Sequence, residues 1–335
     1  MKVLQFSRFG PPDEVLELIS QPKPDPGPGE LLLSIEAAPI APGDLANIEG
    51  KEAMLRDFAQ DGDLTVHLPQ VPGIEGVGRV VAVGKGVKEW KEGDRSFLPI
   101  QGGTWRSHLL VQARDMIPAP EGDPYPLAML VSRWTALFAL TDIVPLEAGD
   151  WFLQNAGNSD VGMSLIRLAR RMGIRTANIV RRESVIAELM AIGADVVAVD
   201  GPNLVEQIKE GTGSAEIKVG LDAVGGDASD RLARCLTTGG VLANYGHMSS
   251  HMVHISTSLF LYKNIKAQGF YAGQPLRSRP LAEQRTILMD IAEMAVDGTL
   301  PARVAGTYKL EDYQAAVIHA AQSGEDRPGK VLFVP

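Results

Sequence analysis

The chain has 335 residues, enough for two domains with separate cores. An apolar content of 45% and a charged content of 22% are ordinary for a soluble globular protein, and a net charge of -9 argues against nucleic acid or an anionic membrane as partner. A single cysteine, Cys235, excludes an internal disulfide and a cysteine-rich zinc site. The opening MKVLQF runs straight into strand-like sequence, and no apolar run reaches the roughly 20 residues that span a bilayer. A cytoplasmic location is therefore expected.

Through about residue 120 the pattern is rich in β signals and broken by Gly and Pro. Met1 to Phe6, Val15 to Ser20 and Leu31 to Ala38 read as strands. Pro22 to Glu30 reads as a loop, because its prolines cannot sit inside a sheet. Val77 to Val83 and Trp105 to Val111 read as further strands of a compact, barrel-like β domain. From Leu127 the period changes, and Leu130 to Leu140 reads as a buried helix. Trp151 to Gln154 is a strand, Asn155 to Ser159 a turn, and Val161, Leu165, Leu168, Ala169 and Met172 mark one face of a helix closed by Gly173. Thr176 to Val180 is the next strand. Ser184 to Ile192 is a helix stopped by Gly193, Val196 to Val199 a strand, and Asn203 caps a helix ending at Gly211. Ile217 to Ala223 and Val241 to Tyr245 are strands around a helix capped by Asp227. Helices Leu281 to Asp297 and Glu311 to Gln322 follow, and the strand Lys330 to Val334 is expected to return to the first domain. Such alternation implies an α/β fold with a doubly wound parallel sheet.

The chemistry concentrates in the strand-turn-helix from Trp151. Gly157, Ser159 and Gly162 form a G-x-S-x-x-G, a variant of the dinucleotide fingerprint with serine for the middle glycine. The glycines let backbone approach a pyrophosphate, whose charge a helix N-terminus favours. An NAD site commonly ends its second strand in Asp or Glu, which holds the ribose hydroxyl. Here that place reads Val180-Arg181-Arg182, a pair of cationic forks suited to the 2′-phosphate of NADPH. The alternative is a solvated basic turn with Glu183 as partner. The histidines His67, His108, His247, His251, His254 and His319 show no metal-ligand spacing, so a metal-free protein is expected.

Several segments in order, VPGIEGVGRV from Val71, GTWRSH from Gly103, QNAGNSDVG from Gln154, NIVRR from Asn178, DAVGG from Asp222, NYGHM from Asn244 and KAQGFY from Lys266, carry a family resemblance. The chain resembles the medium-chain dehydrogenase/reductase superfamily, in the zinc-free branch of the 2-enoyl thioester reductases (mitochondrial trans-2-enoyl-CoA reductases among them), with quinone reductases as cousins. The resemblance implies a GroES-like β-barrel catalytic domain, residues 1–122 and 269–335, and an inserted Rossmann NADPH-binding domain, residues 123–268. It places the active site between them and implies a homodimer. Where zinc-dependent relatives carry Gly-His-Glu, this chain has Gly73-Ile74-Glu75.

The family pattern implies cofactor contacts at Ser132, Thr135, Gly157, Asn158, Ser159, Asp160, Val161, Gly162, Arg181, Arg182, Tyr245, Gly246, His247, Met248, Phe270, Tyr271, Ala272 and Lys330. Asp160 stands where the enoyl reductases have glycine, and a carboxylate beside a pyrophosphate is repulsive unless it turns away. Glu52 falls at the position of the family's proton-donating tyrosine, and can donate only if burial raises its pKa well above the usual value near 4.3. Trp134 is a bulky departure that narrows the acyl pocket, and Arg277 and Arg279 offer charge to a CoA phosphate. The implied activity is NADPH-dependent reduction of the C=C bond of an enoyl-CoA or enoyl-acyl-carrier-protein. An NADPH:quinone or enone oxidoreductase is the alternative, and a catalytically idle NADPH-binding protein a third.

Overall fold

The computed structural model describes residues 1–51, 67–322 and 328–335. Glu52 lies outside the described residues. The chain divides into two compact units, Met1–Leu130 with Ile287–Pro335, and Val131–Thr286.

The first unit opens with β1 (Lys2–Phe6) paired antiparallel to β2 (Leu16–Ser20). Its spine is β3 (Glu30–Ile40), followed by helix α1 (Pro42–Ile48). Next come β4 (Val77–Val83), β5 (Arg95–Phe97), β6 (His108–Gln112) and β7 (Ile117–Pro118). Strand β3 pairs antiparallel with both β4 and β6, and Leu31, Leu32 and Leu33 are all buried rather than alternating, so both faces of the strand are covered here. The core gathers Leu4, Phe6, Leu33, Ile35, Trp105 and Phe333, with the last two rings edge-on at 5.1 Å.

The second unit opens with helix α2 (Leu130–Thr141), whose first residue belongs to the first unit. It runs β8 (Trp151–Gln154), α3 (Asp160–Met172), β9 (Arg175–Val180), α4 (Ile186–Ala191), β10 (Val196–Val199) and α5 (Leu204–Thr212). Then come β11 (Ile217–Asp222), α6 (Asp227–Cys235), β12 (Val241–Asn244), α7 (Thr257–Lys263), β13 (Lys266–Gly269) and α8 (Gly273–Arg277). The six strands form one parallel sheet in the order β10-β9-β8-β11-β12-β13. Numbered within the unit this is the dinucleotide-binding order, reversing direction between β8 and β11. Helix α9 (Leu281–Val296) then crosses the unit boundary, and β14 (Val304–Tyr308), α10 (Tyr313–Ala321) and β15 (Lys330–Phe333) complete the chain. Strand β15 pairs with β3, so the terminal strand returns to the first unit as its sequence suggests.

Local details depart from the sequence pattern. Helix α5 runs through Gly211 and closes on Gly213, whose φ of 64° supplies the left-handed cap; the Asn203 side chain makes no cap bond. Asp227 is the first residue of α6 and Gly226 holds the cap position; the Asp227 carboxylate instead meets His254 at 2.8 Å. The segment after β9 begins as a 3₁₀ turn, Glu183–Val185, before α4. Helix α3 buries Met163, Leu165, Ile166, Leu168 and Ala169, while Met172 in its last turn is exposed. Among the described residues no helix is long and apolar enough to cross a membrane.

Candidate functional site

In the second unit the loops after β8, β9, β12 and β13 all leave the carboxyl edge of the sheet, and they carry most of the residues singled out by motif. After β8 the chain turns through Ala156, at a φ of 49°, into α3. The Ser159 hydroxyl caps that helix by accepting from the Gly162 N–H at 3.1 Å. A Cβ on Gly162 would lie 2.5 Å from the Gly157 carbonyl oxygen, so only glycine lets the helix seat this closely on the turn. Those two features, a close-seated turn and a capped helix of 13 residues, fit a pyrophosphate.

Asp160, the first residue of α3, has a partner: its carboxylate accepts from the Ser132 hydroxyl on α2. That draws the charge toward α2. Tyr245, just after β12, keeps part of its surface exposed but turns its hydroxyl in toward Ser159. Burial pushes its phenol well above the ordinary value, Ser159 opposes this, and Asp222 and Asp160 add to it. The hydroxyl therefore stays protonated at neutral pH.

At the point where the strand order reverses lies a hub the motifs did not reveal. The fully buried Asp222 carboxylate ends β11. Its Oδ1 accepts from Asn155 Nδ2 at 2.5 Å, Val224 N at 2.9 Å and Gly225 N at 3.2 Å. Its Oδ2 accepts from Ser229 Oγ at 2.5 Å and Asn244 Nδ2 at 3.0 Å. Asn155 Oδ1 in turn accepts from Ala223 N at 2.7 Å, and Asn244 also donates to the Gly246 carbonyl at 3.0 Å. One carboxylate thus ties the start of the phosphate turn to the Tyr245–Met248 segment. Beside it Gln154 Nε2 donates to Asn178 Oδ1 at 2.7 Å and to the Gly162 carbonyl at 2.9 Å, fixing α3 to β8 and β9. The signal for these residues was present as polar side chains inside otherwise apolar strands, in QNAG, NIV and DAVGG.

Arg181 is exposed and Arg182 half-buried directly after β9. Gly246 approaches the β11 loop so closely that a Cβ would lie 2.7 Å from the Ala223 carbonyl oxygen. His247 Nε2 is buried with no hydrogen-bond partner among the described residues, and Met248 is exposed. Phe270 and Ala272 are buried after β13, whereas Tyr271 is exposed with the Arg277 guanidinium 5.9 Å from its ring centre.

On α2 the Thr135 hydroxyl donates to the Val131 carbonyl at 2.6 Å, and the buried Trp134 has no partner among the described residues for its indole N–H. Arg279 is committed within the unit, to Asp142 at 2.9 Å, Glu283 at 2.8 Å and the Phe138 ring at 4.7 Å, which leaves its charge matched rather than available. Lys330 opens β15 in the first unit. Among the described residues no group of three or more His, Cys, Asp or Glu side chains is placed to hold a metal ion.

A β unit whose sheet is antiparallel apart from the β14–β15 pair, with a parallel sheet of dinucleotide-binding order in the same chain, is the architecture of the medium-chain dehydrogenase/reductase type. Residues 27–121 match the alcohol dehydrogenase GroES-like domain, and residues 161–286 the domain described as zinc-binding dehydrogenase. The human mitochondrial enoyl-acyl-carrier-protein reductase is 30% identical over 328 residues, covering 95% of this chain and 84% of that one. A Bacillus thuringiensis protein assigned as an NADPH:quinone reductase superposes with a TM-score of 0.88 at 26% identity, over 100% of this chain and 98% of its own. The Etr1p complex with NADP and crotonyl-CoA superposes at 0.82 with 25% identity, over 100% and 99%. The Candida tropicalis Etr1p/Etr2p heterodimer does so at 0.83 with 26%, over the same shares. The chain belongs to the enoyl-acyl-carrier-protein reductase family of medium-chain dehydrogenases/reductases.

Proposed function

We propose that this protein reduces the activated C=C bond of 2-enoyl thioesters with NADPH. The observation that carries the reading is the phosphate turn followed by Arg181 and Arg182 at the end of β9, in a chain 30% identical to an enoyl-acyl-carrier-protein reductase. The bound cofactor supplies a hydride, delivered to the carbon β to the thioester carbonyl. The chain's own task is positioning. Backbone N–H groups between Gly157 and Gly162, with the N-terminus of α3, hold the pyrophosphate. Arg181 and Arg182 hold the 2′-phosphate, and the extra binding of that phosphate by the arginine fork is what favours NADPH over NADH. Ser132 holds the Asp160 carboxylate so that it does not compete for that helix end. Glu52, at the place of the family tyrosine, is the proposed proton donor to the α carbon, and Arg277 a contact for the thioester carrier.

Homodimerisation is part of the proposal. Strand β13 is an exposed sheet edge, and beside it α7 exposes Phe260, Leu261 and Tyr262, the last at 86%. An unprotected edge next to apolar surface favours pairing with a second copy.

A second reading, reduction of quinones or enones, is favoured by the TM-score of 0.88 to the Bacillus thuringiensis protein. Parallel assays of NADPH oxidation with crotonyl-CoA and with a benzoquinone separate the two. Turnover of crotonyl-CoA supports the first, and turnover of the quinone alone replaces it with the second.

A further inference from the structure

The GTWRSH segment contains a charge that the activity above does not use. Arg106 lies between β5 and β6 in the first unit, where it bridges to Val3 of β1. Its guanidinium is half-buried, and among the described residues its hydrogen bond is from Nε to the Gly103 carbonyl at 2.7 Å. Burial lowers its pKa, and among the described residues no carboxylate opposes the shift.

This is out of keeping with the other partly buried arginines. Arg95 is bound to Glu36 at 2.6 Å, Arg231 to Asp200 at 2.6 Å, Arg234 to Asp230 at 2.7 Å and Arg279 to Asp142 at 2.9 Å. In a chain with 41 acidic and 32 basic residues, an arginine that is desolvated and meets no anion among the described residues is out of the ordinary. The loop that carries Arg106 is pinned to the segment at Gly73: Gly103 N and Thr104 N both donate to the Gly73 carbonyl, at 3.1 and 3.2 Å, and Trp105 N donates to Pro72. The guanidinium thus sits on a fixed frame, and among the described residues its Nη groups make no hydrogen bond.

We infer that Arg106 is a binding residue for an oxyanion of phosphate type borne by the substrate's thioester carrier. A fork of N–H donors recognises such an oxyanion bidentately, and desolvation strengthens the contact. The inference rests on the thioester reading, because an enoyl thioester acquires phosphates only from its CoA or phosphopantetheine carrier.

The test measures KM for crotonyl-CoA and for crotonyl-N-acetylcysteamine, the same thioester without phosphate, at saturating NADPH. Wild type, Arg106→Gln and Arg106→Lys are compared. In Arg106→Gln the KM for crotonyl-CoA rises about ten-fold or more. The KM for the phosphate-free thioester, the KM for NADPH and kcat stay within about two-fold. Arg106→Lys, which keeps charge but loses the fork, falls between. A rise on both thioesters alike, or on NADPH alone, overturns the assignment. Should no thioester be reduced, the functional reading fails on its own, and calorimetric titration with free CoA still decides the site. Binding to wild type that is weakened in Arg106→Gln upholds it, and no binding to wild type, or equal binding to both, removes it.

Discussion

Replacing Asp222 by asparagine perturbs the hub that aligns the phosphate turn with the segment after β12, and the cost can be worked from its donors. The single carbonyl oxygen of asparagine serves the side where Asn155 Nδ2, Val224 N and Gly225 N converge. Its amide nitrogen then faces Ser229 and Asn244. The serine hydroxyl can rotate and accept, but the Asn244 amide cannot, although it keeps the Asp222 and Gly246 carbonyls at 3.2 and 3.0 Å. One donor-against-donor contact remains in a fully buried place, together with loss of charge assistance on the bonds that persist. That costs about 1–3 kcal/mol out of a total stability of about 5–15 kcal/mol. Because the loops tied by the hub are those assigned to the cofactor, NADPH affinity falls about ten-fold, the equivalent of about 1.4 kcal/mol of added ordering. Urea unfolding gives the first quantity and fluorescence titration with NADPH the second. A variant within about 0.5 kcal/mol of wild type, binding NADPH equally well, would refute the role given to Asp222.

The remaining predictions concern separate features. Arg181→Ala raises the KM for NADPH about ten-fold or more while leaving that for NADH unchanged, and a parallel loss for both cofactors would show that the arginine does not read the 2′-phosphate. The Asp230 carboxyl sits below the usual carboxylate value: burial alone would raise it, but Ser256, through its hydroxyl and its N–H, and Arg234 prevail. Its folded pKa being depressed, it stabilises above the unfolded value near 3.8 and that contribution disappears as pH falls through the folded one. Asp230→Asn should flatten the acid limb of the stability profile, and an unchanged profile would exclude this group as a contributor. Leu261→Asp, on the exposed face of α7, should shift the protein to monomer in sedimentation, and persistence of a dimer would move the interface elsewhere.

The fold was legible where its causes are local. The apolar run Trp151–Gln154, the Ser159 cap, the helical stripe and the left-handed Gly173 lie within a few residues of one another, and each is a neighbour's reason for its conformation. The hub was not legible. Asn155 and Asp222 are 67 positions apart, and only the strand order that places β8 beside β11 brings them together. The exposure of β13 was hidden for the same reason, since KAQG looks like any short strand until it proves to be the last one in the sheet. Local chemistry also misled where two candidates stood close. Gly211 and Gly213 both resemble helix ends, and the packing of Gly211 against Val196 decides in favour of the later one. Arg279 looked free in the sequence, and Asp142, on a distant stretch of chain, claims it.

The central claim is that a hydride from NADPH reaches the β carbon of an enoyl thioester. It is tested most directly by incubating the protein with crotonyl-CoA and NADPH deuterated at the transferable position, then locating the label in the product. The account predicts butyryl-CoA with deuterium at C3 and a solvent-derived hydrogen at C2. Recovery of unreduced crotonyl-CoA, from protein that oxidises the same NADPH when given a quinone, would contradict it.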